Sequence, residues 1–566
     1  MPFLDWVNKN QAVQTSENVP YHLLQHQKTY GDANVANGNL IIQGDNLQAL
    51  KALLPFYTAK VKCVFIDPPY NTAKAFEHYD DKLEHSQWLS MMYPRLVLLR
   101  ELLADDGCIC ITLDDNEIHY FKVLMDEVFG RSNYINEVSL RMKQTAGASG
   151  GGEDKRLKKN IEYLLIYAKE KDAFGRFNDV YEEQDLFDLI DEMESEGKSW
   201  KYTRVLKDLG ERKYLCTVKD GSGEPIKIYT HSGVVIEPLS KISKDEKTTI
   251  EQSYKKYFDK IFRDTNAQSS IRTRVMEATV GQGDFFSIEY VPRSGKSKGK
   301  PTTLYYKGNN CDLIAWLSDV AVKKGSRLVK LEKLGTYWTG FPLNNLTKEG
   351  DVQFPNGKKP EALIQRVLEL CSAENDLILD SFLGSGTTAA VAHKMKRRYI
   401  GIEMGEHAQT HCIPRLNKVI DGEQGGISKA IGWQSGGGFG FYTLGAPVFD
   451  AEGHITTDVH FKELAAYIWW LETKTATGVK IDTAQTPFIG EKEGVAYYLL
   501  YNGILGDRRP NGGNVLTSNV LAYLQEIHPH SGKKVIFGEA SRLGLARLAA
   551  ENIEFKQIPY ELHDRI

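Results

Sequence analysis

The chain alternates short apolar runs with helical stripes. Leu40–Ile42 is an apolar run broken by Gly44-Asp45-Asn46, Leu47–Leu54 has helical spacing, and Val61–Ile66 is a second apolar run that stops at Asp67. Runs that are apolar throughout belong to strands buried on both faces. Ser86 is placed to cap a helix reaching about Leu103. Trp88, Leu89, Met92, Leu96, Leu99 and Leu103 form its apolar stripe, Pro94 its predicted kink, and Gly107 its stop. A strand over Cys108–Leu113, a helix over Asn116–Val128 and a strand over Asn160–Lys169 follow. The alternation returns at 360: helix Glu361–Cys371, strand Leu377–Asp380, a glycine-rich turn, a helix to about Lys394, and strand Tyr399–Glu403.

Between these blocks, from about 171 to 335, the pattern reads as polar and irregular. It opens with residues 181–196, eight acids and no base, which suit a solvated helix face and not a phosphate contact. Beyond Ser435-Gly-Gly-Gly438, residues 440–566 carry strands and helices of their own. The expected organisation is an α/β core in two parts, 1–170 and 336–430, around an insert at 171–335, with a C-terminal α/β domain at 431–566. At 566 residues, 42% hydrophobic and 25% charged, the chain is an ordinary folded protein of several domains. Its net charge of −4 excludes nucleic-acid binding over the whole surface but leaves local basic patches open. Seven scattered cysteines with no C-x-x-C argue against a disulfide framework or a zinc ribbon, and for a reducing compartment. Cys108 and Cys110 read as core filling. His407, His411 and Cys412 could share a helix face but lack a second ligand pair, so no metal site is expected. MPFLDWVNKN has no signal-peptide pattern, and no apolar stretch nears a membrane span; a cytoplasmic location is expected.

Two motifs carry chemistry. Asp380-Ser-Phe382-Leu-Gly384-Ser385-Gly386-Thr387-Thr388 lies between a strand and a helix, where small residues let backbone approach a ligand and helix N–H groups face an anion. Glu403 ends the next strand, 23 residues after Asp380, in the place of an acid that holds ribose hydroxyls. Gly384, Gly386 and Ala389 also satisfy G-x-G-x-x-A, so the pattern says nucleoside cofactor, with NAD open. The second motif, Asp67-Pro68-Pro69-Tyr70, ends an apolar strand. Its prolines fix the exit path and remove two donors, leaving a carboxylate, a backbone carbonyl and an aromatic face together. That set suits an exocyclic amine on a planar base.

DPPYNT at 67–72 followed by DSFLGSGTT at 380–388 resembles the amino-methylating DNA methyltransferases that use S-adenosylmethionine, in the motif order of their permuted β group. Gly44-Asp45-Asn46-Leu47 is similar to the segment whose acid contacts the cofactor adenine. Asp106-Gly107 through Asp114-Asp115-Asn116-Glu117 is similar to the strand after the long helix, and Glu162–Lys169 to the target-base pocket segment. Lys359-Pro360 with the helix after it resembles the element just before the cofactor loop. Gly436–Phe439 and Phe555–Tyr560 resemble modification subunits of type III restriction–modification systems. The chain departs from relatives at Ser381, often Pro, at Leu383, often Ala, and at Ile161, often His.

The resemblance implies a permuted, doubly wound Rossmann-like methyltransferase core with an inserted target-recognition domain. It also implies methylation of the N6 amine of a flipped-out adenine in duplex DNA, a restriction (Res) subunit partner with ATPase and nuclease activity, and a homodimer. Asp67 and the Pro68 carbonyl would accept the amine hydrogens and Tyr70 would stack on the base. The implied cofactor contacts are Asp45, Asn46, Lys359, Asp380, Phe382, Gly384, Ser385, Gly386, Thr387, Thr388 and Glu403. No Pro-Cys pair suits carbon methylation, and Glu17-Asn18-Val19 alone is a chance match to that class. DNA contacts are expected from Arg141, Lys143, Lys155 and Arg156 around a glycine loop, and from Arg293, Lys296, Lys298 and Lys300. Ser294-Gly-Lys-Ser297 is no ATP loop, because Tyr290 replaces its first glycine. The competing readings are cytosine-N4 methylation of DNA, RNA or protein-amide methylation, a nicotinamide oxidoreductase, and a non-catalytic DNA-binding protein.

Overall fold

The computed structural model describes residues 3–36, 38–71, 84–142, 159–266, 269–293, 297–341, 346, 349–350, 352, 358–477, 486–501, 514–559 and 562. Two compact units emerge: residues 1–180 with 335–566, and residues 181–334. No helix among the described residues is long and apolar enough to cross a membrane.

The larger unit is built on a ten-stranded sheet. Its strands are β1 (His22–Gly31), β2 (Leu40–Gln43), β3 (Val61–Ile66), β4 (Leu103–Leu113), β5 (Tyr134–Arg141), β6 (Ile161–Ala168), β7 (Tyr337–Trp338), β8 (Leu377–Asp380), β9 (Arg398–Glu403) and β10 (Gly438–Pro447). The spatial order is β1-β10-β2-β9-β8-β3-β4-β6-β5-β7. The six strands from β10 to β4 run parallel, and β6 returns antiparallel beside β4. Helix α1 (Asn46–Tyr57) follows β2, α2 (His85–Leu102) leads from β3 to β4, and α3 (Ile118–Met125) follows β4. Helix α4 (Glu361–Cys371) precedes β8, and α5 (Thr387–Lys394) joins β8 to β9.

Burial on both faces explains the uninterrupted apolar runs. Val61, Cys63, Val64, Phe65 and Ile66 of β3 and Leu377, Ile378 and Leu379 of β8 are all buried. In α2 the stripe Trp88, Leu89, Met92, Leu96 and Leu99 is buried, and Leu103 already opens β4. Consecutive connections leave β8 and β3 in opposite directions: β8 passes to β9 on one side, β3 to β4 on the other. A crevice opens outside the carboxyl ends of strands at such a reversal.

Two features differ from the sequence pattern. The stretch from 431 does not begin apart from the core: Gly438–Phe441 lie in register with Gly31–Lys28 of β1, making β10 a central strand. Gly438 permits this, since a Cβ there would meet the Asp32 and Tyr30 carbonyls at 2.6 Å. The later residues form a mixed four-stranded sheet of Phe488–Lys492, Val495–Leu499, Lys533–Gly538 and Ile553–Gln557. The second difference is in residues 181–334, which are regular, with an eight-stranded and a three-stranded sheet. The eight-stranded sheet is antiparallel throughout. Its strands alternate, as at buried Ile226, exposed Lys227 and buried Ile228, and therefore lack continuous apolar runs. The acidic stretch there is a strand, Tyr181–Asp185, followed by a helix, Leu186–Ser195, in which Leu186 is buried.

Candidate active site

Both chemical motifs stand at the carboxyl ends of neighbouring parallel strands. Asp67 leaves β3, Asp380 ends β8, Glu403 ends β9, and Gly44-Asp45 leave β2. The strand reversal between β3 and β8 thus brings residues more than 300 positions apart to one crevice.

The glycine-rich turn is fixed from inside. Gly384 and Gly386 take left-handed φ values of 54° and 80°, which favour glycine. A Cβ on Gly386 would press on Cys412 at 3.3 Å. Glu403 Oε2 accepts the Gly384 N–H at 2.7 Å and Oε1 accepts the Gly405 N–H at 3.3 Å. Asp380 accepts the Phe382 N–H at 2.9 Å and the Thr388 hydroxyl at 2.6 Å. Burial pushes the Asp380 carboxyl up to about 7 against these two bonds, with Asp67 and Glu403 adding repulsion.

Beneath the turn lies a buried ionic cluster. Arg415 Nη1 donates to Thr387 Oγ1 at 2.7 Å, and Arg415 Nη2 pairs with Glu361 Oε1 at 2.8 Å. Lys394 Nζ pairs with Glu361 Oε2 at 2.8 Å and with Glu423. The side chains of Glu361, Arg415 and Lys394 are fully buried. Burial alone would raise Glu361, but Arg415 and Lys394 hold its carboxyl below the usual range. The Ser385, Thr387 and Thr388 hydroxyls, expected to face a cofactor, are bonded within this interior.

Asp45 caps α1, accepting the Leu47 and Gln48 N–H groups at 2.9 and 3.2 Å. The Asn46 amide donates to the Ser381 carbonyl at 2.8 Å, tying this loop to the glycine turn. Arg95 of α2 binds both Asp45 and Asn46.

The tetrapeptide is held differently. Trp88 Nε1 donates to the Pro69 carbonyl at 2.8 Å and fixes the turn. Asp67 Oδ1 accepts the Thr112 hydroxyl at 2.6 Å and the Tyr70 hydroxyl at 2.8 Å. Lys359 Nζ lies 3.2 Å from Asp67 Oδ1, 3.0 Å from Glu162 Oε2 and 2.7 Å from the Tyr70 hydroxyl. It also stands 4.7 Å over the Tyr70 ring. Burial raises the Asp67 carboxyl above the usual range, with Lys359 and Thr112 opposing it. Burial disfavours the Lys359 ammonium, but Asp67 and Glu162 more than offset this and raise it.

Lys359, grouped by sequence with the cofactor loop, therefore sits against the tetrapeptide. Arg95, Trp88 and Arg415 carry no motif signal, and Thr112 and Glu162 appeared only as parts of resembling segments. The pairing of β4 with β3 places Thr112 beside the tetrapeptide, but nothing within the resembling segment singles it out. Of the expected DNA contacts, Lys143, Lys155, Arg156 and Lys296 lie outside the described residues. Arg141 is exposed at the end of β5. Arg293, Lys298 and Lys300 are exposed between the strands Phe285–Tyr290 and Thr302–Lys307 of the smaller unit, with Arg293 3.6 Å from Glu224.

Residues 61–413, from β3 to just beyond β9, match the family model described as DNA methylase. The chain belongs to the DNA methylase family. Within it, the chain is 44% identical over 419 residues to the probable type III restriction-modification enzyme HindVI Mod subunit of Haemophilus influenzae, covering 74% of this chain and 55% of that protein. It is 29% identical over 434 residues to the type III restriction-modification enzyme EcoPI Mod subunit of Escherichia phage P1, covering 69% and 60%. This family member thus spans a little over half the length of the curated relatives it matches. Among solved structures it is similar to the cytosine-N4-specific PvuII DNA methyltransferase, at 12% identity and a TM-score of 0.32, covering 70% of this chain and 90% of that one.

Proposed function

We propose that the chain transfers a methyl group from S-adenosylmethionine to the exocyclic N6 amine of an adenine flipped out of duplex DNA, as the modification subunit of a type III restriction–modification system. The observation that carries this reading is the meeting of Asp67-Pro-Pro-Tyr70 and the glycine turn at the reversal between β3 and β8, in a chain of the DNA methylase family.

The glycine turn fits the cofactor. Gly384 and Gly386 leave the strand end without side chains, and the buried Ser381 hydroxyl has no partner among the described residues. Asn46 and Glu403 bond to this turn, at the Ser381 carbonyl and the Gly384 N–H; with Asp45 and Phe382 they would hold the cofactor, Glu403 keeping its backbone bonds and using its remaining lone pairs for ribose hydroxyls. When bound, the cofactor supplies an electrophilic methyl on a sulfonium. The family match and the Asp67-Pro-Pro-Tyr70 motif, not the turn itself, favour this cofactor over a nicotinamide.

The target amine is a weak nucleophile, because its lone pair is delocalised into the ring. Asp67 and the Pro68 carbonyl would accept hydrogen bonds from its two N–H groups and turn the lone pair toward the methyl; the new N–C bond would replace the methyl–sulfur bond, whose electron pair stays on the sulfur, and the proton shed by the nitrogen would pass to Asp67 and on to solvent. The Tyr70 hydroxyl now occupies Asp67 Oδ1, so base entry would displace that bond and free the ring to stack. Thr112 would stay bonded to Asp67 and hold it in place. Positioning and fixed charge carry the catalysis, with no covalent enzyme intermediate.

The insert would read the DNA sequence, with Arg293, Lys298 and Lys300 contributing phosphate contacts; Arg141 would serve the same end from β5. A Res subunit with ATPase and nuclease activity, and a second copy of this chain, are the proposed partners. The two Mod relatives named above support this context. The test is nucleoside mass spectrometry on DNA from cells expressing the chain, beside Asp67→Ala. N6-methyladenine made only by the intact chain supports the proposal. N4-methylcytosine would keep the mechanism and overturn the base; neither product would overturn the activity of the isolated chain.

A further inference from the structure

The fold gathers four of the seven cysteines at one interior point, and this grouping plays no part in the methyl-transfer reading. Cys63 on β3 lies directly beside Cys108 on β4. Cys110, two residues on, faces the same side of the sheet as Cys108. Helix α4 packs against β3 and β4, and its last residue is Cys371. The four sulfurs all lie within 4.8 Å of one another, and Cys110 Sγ is 3.9 Å from Cys371 Sγ. A tetrahedral thiolate site with zinc–sulfur bonds of about 2.3 Å needs sulfurs about 3.8 Å apart. The Cys110–Cys371 separation matches that spacing, and no other pair of the four exceeds it by more than about 1 Å.

We infer that Cys63, Cys108, Cys110 and Cys371 form a buried tetrahedral site for a thiophilic divalent metal ion, with zinc as the expected occupant. The ligand set is closed, with four protein sulfurs and no open position, as in structural sites. Its surroundings supply what such a site needs. Four thiolates around a divalent ion leave a net negative charge in the interior. The Arg397 guanidinium feels the Cys63 sulfur, and Arg397 is anchored on Ser372, the residue after Cys371, by bonds of 3.1 and 3.0 Å. Lys62 acts in the same sense on Cys108. Cys371 is the least buried of the four, at 4% exposure. It lines a cavity of about 390 Å³ together with Lys60, Lys62, Arg176 and Asp376. Binding would displace the thiol protons to solvent, so affinity would fall in acid.

The consequence is architectural. Cys63 lies four residues before Asp67, and Cys371 ends the helix that starts just after Lys359. The ion would staple β3 and β4 to α4, joining parts of the core that the insert separates in sequence. The pattern was invisible in the sequence because Cys63 and Cys371 stand far from the Cys108-x-Cys110 pair.

The test uses the full chain purified under reducing conditions without chelator. Elemental analysis is expected to give about one zinc ion per chain. The reduced apoprotein should bind one Co²⁺ with thiolate-to-cobalt charge-transfer absorption and tetrahedral d–d bands. Cys371→Ser should lower metal content at least about tenfold with a native circular-dichroism spectrum, while Cys216→Ser, outside the group, keeps it. Should Cys371→Ser fail to fold, the cobalt spectrum of the unaltered chain decides alone. Absence of both stoichiometric zinc and cobalt–thiolate bands would overturn the inference. So would metal retained in a folded Cys371→Ser, or a disulfide between two of the four in the native chain.

Discussion

The two halves of the crevice are held by opposite strategies. On the glycine-turn side, Glu403, Asp380, Arg415 and Thr388 bond to backbone or to each other in the interior, and the Glu361, Arg415 and Lys394 side chains are fully buried. On the tetrapeptide side, Asp67, Tyr70, Lys359 and Glu162 bond one another, and all four keep some exposure. The first arrangement is a scaffold that a ligand meets already formed. The second is a set of bonds that a ligand can replace. Cofactor recognition should therefore be coupled to fold stability, and base recognition to the exchange of Tyr70 for substrate at Asp67.

The comparison would break most visibly at Glu361. Glu361→Gln leaves Arg415 and Lys394 without their shared partner in the interior. It should destabilise the chain by about 3–5 kcal/mol, read from urea unfolding. A loss below about 1 kcal/mol would mean that the cluster does not brace the turn.

Thr112→Val removes a bond on the other side. It should cost about ten- to a hundredfold in kcat, roughly the 1.5–3 kcal/mol of a bond to a charged group, with little change in melting temperature. Because the Thr112 bond opposes the rise of Asp67, its loss should also move the acid limb of the pH–rate profile to higher pH.

A smaller effect is expected from Tyr70→Phe. It frees Asp67 of a bond that substrate must displace yet keeps the ring, so kcat should fall no more than about threefold while Tyr70→Ala falls far more. Equal losses in the two variants would assign the function to the hydroxyl.

The mildest test concerns pH. Asp380 has a folded-state pKa of about 7, above its ordinary carboxylate value. Its stabilising contribution is complete in acid and is lost as pH rises toward 7. Asp380→Asn lacks this loss. The melting-temperature gap between variant and parent should shift in the variant's favour between about pH 4 and about pH 7.

The sequence was most legible where both faces of an element are buried. Helix Glu361–Cys371 and strands Val61–Ile66 and Leu377–Asp380 have the expected bounds, because uninterrupted apolar runs and an amphipathic stripe leave little choice. Residues 181–334 were opaque, since half-exposed antiparallel strands dilute the apolar signal. The strand Gly438–Pro447 was assigned to a separate C-terminal domain because it follows a run of glycines, whereas Gly438 serves close approach to Asp32 and Tyr30 within the core sheet. In the crevice, the carboxylates and glycines stood out through motif spacing. Thr112 and Arg95 could not, because only the fold sets them beside Asp67 and Asp45.

The central claim is that Asp67 acts on the target amine and not on the fold or the cofactor. The most direct test compares parent and Asp67→Asn in a single-turnover assay, with tritiated S-adenosylmethionine and duplex DNA carrying the recognition site mapped by methylome sequencing. Calorimetric titration of the cofactor would accompany it. The account predicts unchanged cofactor affinity and a transfer rate lower by about 10²–10³. Transfer within a few fold of the parent, or loss of cofactor binding alongside it, would contradict the account.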